Sequence, residues 1–425
     1  MARFTGIIGI IVILGLAYLW SNNRKAINLR LVVSGFLLQL VLAVFILKVP
    51  LGQTIFEWLG RVINKLLHFS QEGGRFIFGD LMHISDALPP QIVSGGVFLF
   101  TLLPTIIFIC VLVAMAYHVG LMQRIVAVMA KFVHKVMRVS GSEALANVSS
   151  AFVGQVEAQV MIRPYLSGLT MSELLATMTG SMATIAGGVM AVYISMGVPA
   201  AYLLAASLMA APGSLVIAKI VFPETQESQT QGQVKLKVEK EHANLMDAIS
   251  HGASDGMRIA LNVIAMLIGV IALVALIDAL LGYFGLFLNW TGVSLDFMGL
   301  NVENLRLRDV FGVFFSAFAI LMGVPVTESF DVGSLMGTKM VINEFVAYTD
   351  LAPMIAQGTL SAKSIIIASF ALCGFANFGS IAIQIGGVGT MVPERKADLA
   401  RLGFKSMICG TMTSYVSACL AGILF

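Results

Sequence analysis

Apolar runs of about twenty residues, separated by short polar interruptions, repeat along nearly the whole chain. Runs at 4–20, 31–49, 92–120, 172–196, 200–222, 259–287, 363–388 and 403–425 are each long enough to cross a hydrocarbon layer about 30 Å thick as a helix. They predict an all-α polytopic membrane protein with about eight transmembrane helices. The first run is followed by Arg24, Lys25 and Arg30 and by no small-x-small cleavage pattern. It therefore reads as a transmembrane helix with the N-terminus outside, not as a signal peptide.

That orientation makes 22–30, 121–171, 223–258 and 389–402 cytoplasmic. These segments carry Arg124, Lys131, Lys135, Arg138 and Arg163, then Lys235, Lys237, Lys240 and Arg258, then Arg395, Lys396 and Arg401. The outward segment 197–199 carries no basic residue, whereas other outward segments hold Arg61, Lys65, Arg75, Arg306 and Arg308. The positive-inside bias is present without being absolute.

Some stretches do not read as spans. In 122–138, Arg124, Lys131, Lys135 and Arg138 follow at spacings of 7, 4 and 3, with Ile125, Met129, Phe132, Val133 and Val136 on the rest of the surface. This predicts an amphipathic helix lying in the cytoplasmic interface; 54–69 predicts another on the outer side. Residues 224–242 form a polar connector with no chemistry of its own. The segments 142–168 and 326–350 are apolar enough to enter a membrane but polar at their middles. They predict re-entrant hairpins, whose broken tips are tolerated only where they are buried in protein or line a cavity.

Composition agrees with the pattern. Charged residues make up 12% of the chain and hydrophobic ones 58%, where soluble domains carry about 25% charge. The net charge of +3 implies no nucleic-acid partner. Cys110, Cys373, Cys409 and Cys419 lie in apolar segments without metal-ligand spacing and read as small buried hydrophobes. His118 and His134 sit at span ends and read as interfacial.

The hairpins are where the chemistry concentrates. The second contains Lys339, Asn343 and Glu344, and the first Gln155 and Glu157. A carboxylate at bilayer depth costs about 2.5–3.5 kcal/mol on insertion scales, so each implies a partner or a ligand. The order of elements also recurs. A long span, a helical stretch, a polar-tipped hairpin and a span rich in small residues appear at 92–187 and again at 259–380, with Thr184 and Asn377 in corresponding places. An odd number of crossings separates the halves, which predicts an inverted repeat of the kind secondary transporters use.

Three sets of residues carry a resemblance. Gly337-Thr338-Lys339-Met340-Val341-Ile342-Asn343-Glu344-Phe345-Val346-Ala347-Tyr348 resembles the long motif of concentrative nucleoside transporters. Gly154-Gln155-Val156-Glu157-Ala158 resembles that family's hairpin tip, and Cys373-Gly374-Phe375-Ala376-Asn377-Phe378-Gly379-Ser380 its broken helix. The likeness continues through Gly386-Gly387 and Val392-Pro393-Glu394-Arg395-Lys396 and covers nearly the whole chain.

The resemblance implies a homotrimer of the shorter, bacterial form in the cell's inner membrane. Each protomer would divide into scaffold helices at 1–120, a first transport repeat at 121–222, a linker with scaffold helices at 223–325, and a second transport repeat at 326–425. The implied activity is sodium-coupled symport of uridine-like, and also purine, nucleosides by an elevator movement. There would be no catalysis and no cofactor beyond the coupling ion. Carried over by position, Gln155, Val156, Glu157 and Val189 would face the nucleobase. Glu344, Asn377 and Ser380 would bind ribose, and Phe375 would pack on the substrate. Sodium ligands would come from Ser150, Val153, Thr184 and Ile185. The family usually has Thr where this chain has Val156, and its sodium-coupled members usually have Asn where it has Ser150. Proton coupling is therefore the alternative.

The residues also admit plainer roles. Glu344 could pair with Lys339, Gln155 could satisfy broken backbone, Thr184 could bond its own helix, and Phe375 could simply pack. Asn377 and Ser380 could bond between helices, and Glu143 and Glu328 could be helix-start carboxylates. A more remote alternative is an intramembrane hydrolase using Glu157 and Glu344 as paired carboxylates. A channel or purely structural membrane protein would show no saturable uptake.

Overall fold

The computed structural model describes residues 2–79, 81, 96–230, 243–291 and 305–425, and these are helical with no strand. The expected span 92–120 and the connector 224–242 lie partly outside them.

Three helices open the chain: α1 (Ala2–Leu19), α2 (Leu29–Leu47) and α3 (Pro50–Phe78). The Asn28 side chain caps α2 by accepting from the Leu31 amide at 3.2 Å. Pro50 starts α3 at a position where its missing N–H costs nothing. The interfacial helix expected at 54–69 is thus a longer one. Next come α4 (Gly96–His118) and α5 (Leu121–Met137), which meet at 73°.

The expected amphipathic helix is α5, but its apolar residues divide into two stripes. Val126, Ala130, Val133 and Met137 are buried, whereas Ile125, Val128, Phe132 and Val136 are exposed. At 100° per residue the exposed apolar stripe lies between the buried one and the basic one. A helix with three such faces suits a membrane interface.

Hairpin 1 is α6 (Gly141–Ser150), a non-helical tip at 151–156, the single turn α7 (Glu157–Val160) and a 3-10 segment (Arg163–Gly168). The following span is broken into α8 (Met171–Ala183) and α9 (Gly187–Ser195). After α10 (Ala200–Val221) and the long α11 (Leu245–Trp290), α12 (Leu307–Met322) turns by 117° into hairpin 2. That hairpin is α13 (Val326–Val341) and α14 (Glu344–Ala356). The second broken span is α15 (Ala362–Leu372) with α16 (Phe378–Met391), and α17 (Lys396–Leu424) closes the chain.

Five of the expected spans appear among helices long and apolar enough to cross a membrane: Leu29–Leu47, Met171–Ser195, Ala200–Val221, Ile271–Trp290 and Pro393–Leu424. The two bent pairs, α4 with α5 and α12 with α13, would raise that number to seven. Two further expected spans are helical but not among these. The first, expected at 4–20, is α1, and 363–388 is two helices of 11 and 14 residues joined through a break at 373–377.

The predicted order of elements does recur, from α4 to α10 and from α11 to α17. The match at the breaks is looser than expected. Thr184 is the C-cap of α8, whereas Asn377 is the N-cap of α16. They stand at opposite ends of their breaks.

The interior is built on α17, which packs against α1, α8, α10, α15 and α16 and is buried along most of its length. Hairpin 2 lies tightly on α12, because a β-carbon on Gly333 would come within 2.6 Å of the Ser316 nitrogen. Outside this interior, α4 and α11 pack along one another, and almost none of Ile271–Trp290 in α11 is buried.

Candidate functional site

Each hairpin tip lies against a broken span. Gly374, with φ +109°, is a point of close crossing: a β-carbon there would lie 2.7 Å from the backbone of Ala183 at the end of α8. Both the positive φ and the close approach require glycine. A break inside a membrane leaves helix-end N–H and C=O groups without partners, and local side chains satisfy them. The Asn377 Oδ1 accepts from the Ser380 amide at 2.8 Å and so caps α16, and Asn343 caps α14 through the Val346 amide at 2.9 Å. At the opposite polarity, the Lys339 ammonium donates to the carbonyls of Ala371 (2.9 Å) and Cys373 (3.1 Å) at the end of α15. A cation at a helix C-terminus is favoured. Lys339 is thus the cap of a broken helix, and no ion pair to Glu344 forms.

Capping leaves several polar atoms pointing together. Glu344, 5% exposed, accepts from the Tyr193 hydroxyl at 3.1 Å on one oxygen and from the Asn377 amide at 2.9 Å on the other. Ser380 in turn accepts from the Gln155 amide at 3.4 Å. Four elements therefore contribute to one buried polar chain: hairpin 1 (Gln155), hairpin 2 (Glu344), α9 (Tyr193) and the start of α16 (its N-cap Asn377 and first-turn Ser380). The Gln155 Oε1 is buried and has no partner among the described residues. A buried acceptor without a donor carries a desolvation cost of about 1–3 kcal/mol until something supplies one.

Aromatic packing holds the carboxylate in place. Tyr193 stacks on Tyr348 with ring centroids 4.3 Å apart and meets Phe345 edge-on at 5.9 Å. The Tyr348 hydroxyl donates to the Ser369 carbonyl at 2.9 Å. Sequence reasoning did not single out Tyr193. An aromatic in an apolar run reads as core, and its only signal was a hydroxyl that needed a buried acceptor.

The other expected residues are close by but differ in setting. Val156 abuts Gly387 on α16, since a β-carbon added at Gly387 would meet the Val156 methyls at 2.5 and 2.9 Å. Phe375 and Val189 are half-buried. Glu157 is exposed and has no hydrogen bond or ion pair among the described residues. The structure does not pair it with Glu344, which leaves the two-carboxylate hydrolase without support.

The residues expected to hold an ion belong to the hairpin 1 tip and to the first break. Ser150, Val153, Thr184 and Ile185 are all buried. The Gly187 amide donates to the Phe152 carbonyl at 3.0 Å, joining the hairpin tip to the break. The Thr184 hydroxyl donates to the Gly180 carbonyl at 3.0 Å, and the Ser150 hydroxyl to the Asn147 carbonyl at 2.8 Å. Each hydroxyl has thus committed its proton to its own helix, and its oxygen lone pairs remain. Such oxygens, with unwound backbone carbonyls, suit a hard monovalent cation. No group of three or more His, Cys, Asp or Glu side chains that could hold a metal occurs among the described residues.

Comparison with known proteins bears on this geometry. A family model described as "Na+ dependent nucleoside transporter C-terminus" matches residues 202–422, its N-terminal counterpart matches 8–81, and one described as "Nucleoside recognition" matches 99–200. The chain is 39% identical to the Bacillus subtilis "Uncharacterized transporter YutK" over 98% of both sequences. It is 36% identical to the Helicobacter pylori "Nucleoside permease NupC", covering 98% of this chain and 96% of that one. It is also 36% identical to the human "Sodium/nucleoside cotransporter 1", covering 98% of this chain and 63% of that longer one. Among solved structures, CNTnw in an inward-facing substrate-bound state superposes with a TM-score of 0.90 at 38% identity, covering 100% of this chain and 98% of that one. An outward-facing form of a CNTnw variant gives a TM-score of 0.91 with the same identity and coverage.

Proposed function

The chain belongs to the family of Na+-dependent nucleoside transporters, and from that premise we propose that it imports nucleosides by sodium symport. It is thus a membrane-embedded transporter and not an enzyme. The observation that carries the proposal is the buried chain Gln155–Ser380–Asn377–Glu344–Tyr193. A carboxylate accepting from two ribose hydroxyls makes charge-assisted bonds, and a Gln amide can match donor and acceptor on a base edge. In this reading Glu344, Asn377 and Ser380 hold ribose. Gln155, Val156, Glu157 and Val189 face the base, and Phe375 packs on it.

Sodium enters as a co-substrate at Ser150, Val153, Thr184 and Ile185, with the hairpin 1 tip shared between ion and nucleoside. Uridine-like nucleosides are the proposed substrates, with purine nucleosides as a second class. The domain division at residues 120, 222 and 325, the elevator movement, the homotrimer and the inner-membrane location belong to the same proposal. Ser150 in place of an amide favours a second reading, proton coupling. The chain would then be a proton symporter with the same nucleoside site.

Uptake of labelled uridine into proteoliposomes separates the readings. We expect accumulation with an inward sodium gradient and none with a proton gradient alone. Accumulation driven by protons alone would overturn sodium coupling, and no uptake of any nucleoside would overturn the transport assignment.

A further inference from the structure

Well away from the hairpin tips, a cleft of about 780 Å³ opens between α5, the turn joining α1 to α2, and the mouth of hairpin 1. Lys131, His134, Lys135 and Arg138 of the α5 basic face line one wall, and Asn28 and Leu31 the opposite one. Glu143 and Glu224 also border the cleft, but both are engaged by the buried Lys219, at 2.5 Å and 3.2 Å. The side chains of Lys131, Lys135 and Arg138 have no hydrogen bond or ion pair among the described residues. The cleft is therefore net positive, and its acids are already matched.

Two details mark it as more than a solvated basic face. Arg138 is the only described non-glycine residue with positive φ, at 55°. It ends α5 in a left-handed cap, with its amide donating to the His134 carbonyl at 2.8 Å. Glycine is the usual residue at such a cap. An arginine there keeps a guanidinium at the cleft wall at the expense of backbone comfort, and such outliers cluster at ligand sites. His134 is oriented as well: its Nδ1 lies 2.7 Å from the Val139 carbonyl, so Nδ1 carries the proton and Nε2 is left for the cleft.

We propose that this cleft binds the phosphodiester headgroup of an anionic phospholipid. A phosphate-bearing anion is the chemistry that three cations unmatched among the described residues call for. The lipid is preferred over free phosphate because α5 also presents Ile125, Val128, Phe132 and Val136 as an exposed apolar stripe. That stripe can take acyl chains while the basic face takes the headgroup, as basic pockets on the cytoplasmic side of membrane proteins do. The bound headgroup would fasten α5 and the α1–α2 turn to the base of hairpin 1.

Native mass spectrometry of the full-length protein, delipidated in detergent and titrated with phosphatidylglycerol or phosphatidylcholine of matched chains, reads the binding directly. We expect preferential retention of phosphatidylglycerol, reduced roughly tenfold by Lys131→Gln with Lys135→Gln. The same change at Arg61 and Lys65 on α3, both exposed, should leave it unchanged. Arg138→Gly should lower retention while leaving the thermal midpoint unchanged or higher, which separates loss of lipid from loss of fold. Equal retention of the two lipids, or undiminished phosphatidylglycerol on both the Lys131/Lys135 and Arg138 variants, would overturn the proposal. So would displacement of the lipid by inorganic phosphate at equal concentration, which would make the cleft a site for the free anion.

Discussion

The two hairpins occupy matching places in the chain but are secured at different ends. At the mouth of hairpin 1, Glu143 accepts from the Ser140 amide and hydroxyl, both at 3.0 Å, and pairs with Lys219. Lys219 continues to Ser172 and Glu224, and Glu224 to Thr170, the cap of α8. Glu173 and Ser228 extend the network. At the tip of the same hairpin, Glu157 has no partner among the described residues and the Gln155 Oε1 is unpaired. In hairpin 2 the tip is the crowded end, with Asn343 capping α14 and with Glu344 and Lys339 bonded to broken-span or aromatic partners. Its mouth is held more simply, by Glu328 accepting from the Ser361 amide and hydroxyl at 3.1 and 2.9 Å. A tip with spare acceptors can reorganise around a ligand, whereas a fully bonded one is pre-organised for it. The pair thus offers one adaptable and one rigid jaw.

That contrast can be broken at either end. The largest effect is expected at the hairpin 1 mouth. Lys219→Met strands Glu143 as a buried charge and should cost about 3 kcal/mol of stability, read by thermal unfolding. The uridine affinity of the folded fraction should be unchanged. An affinity loss equal to that of a tip variant would show that mouth and tip are not separable.

Next in size, Glu344→Gln removes a charge-assisted acceptor at the rigid tip. It should weaken uridine binding about a hundredfold in calorimetry while leaving assembly intact. Unchanged affinity would remove the ribose role. Gln155→Ala acts on the adaptable tip, where a single neutral hydrogen bond is at stake. Roughly tenfold weaker binding is expected, with a changed preference among nucleobases. An equal loss for all bases would make Gln155 a backbone support instead. The smallest effect belongs to Val156→Thr. It keeps the contact with Gly387 and adds a hydroxyl, and should change base preference by less than about tenfold in competition uptake.

Much of this arrangement was legible in the chain. The polar tips stood out because Gln155, Glu157, Asn343 and Glu344 interrupt apolar runs in which a carboxylate is costly. The break at 373–377 falls within the Cys373–Ser380 motif, and Thr184, matched with Asn377 by the repeat, stands in the break at 184–186. What stayed hidden depends on which surfaces meet. Lys339 reads as a counter-charge for Glu344 when sequence neighbours are considered alone, yet its ammonium reaches the carbonyls of α15, more than thirty residues away. Tyr193 looks like core until its hydroxyl is found against Glu344. The split of the α5 apolar residues into buried and exposed stripes depends on which neighbours cover the helix, and periodicity carries no such information.

In the proposed site, ion and nucleoside share the tip of hairpin 1, so each should strengthen the binding of the other. Calorimetric titration of uridine into the purified protein, in saturating sodium and in choline, tests it most directly. Binding about 5- to 150-fold tighter in sodium is expected, the range typical of coupled sites. Equal affinity in the two salts would contradict it.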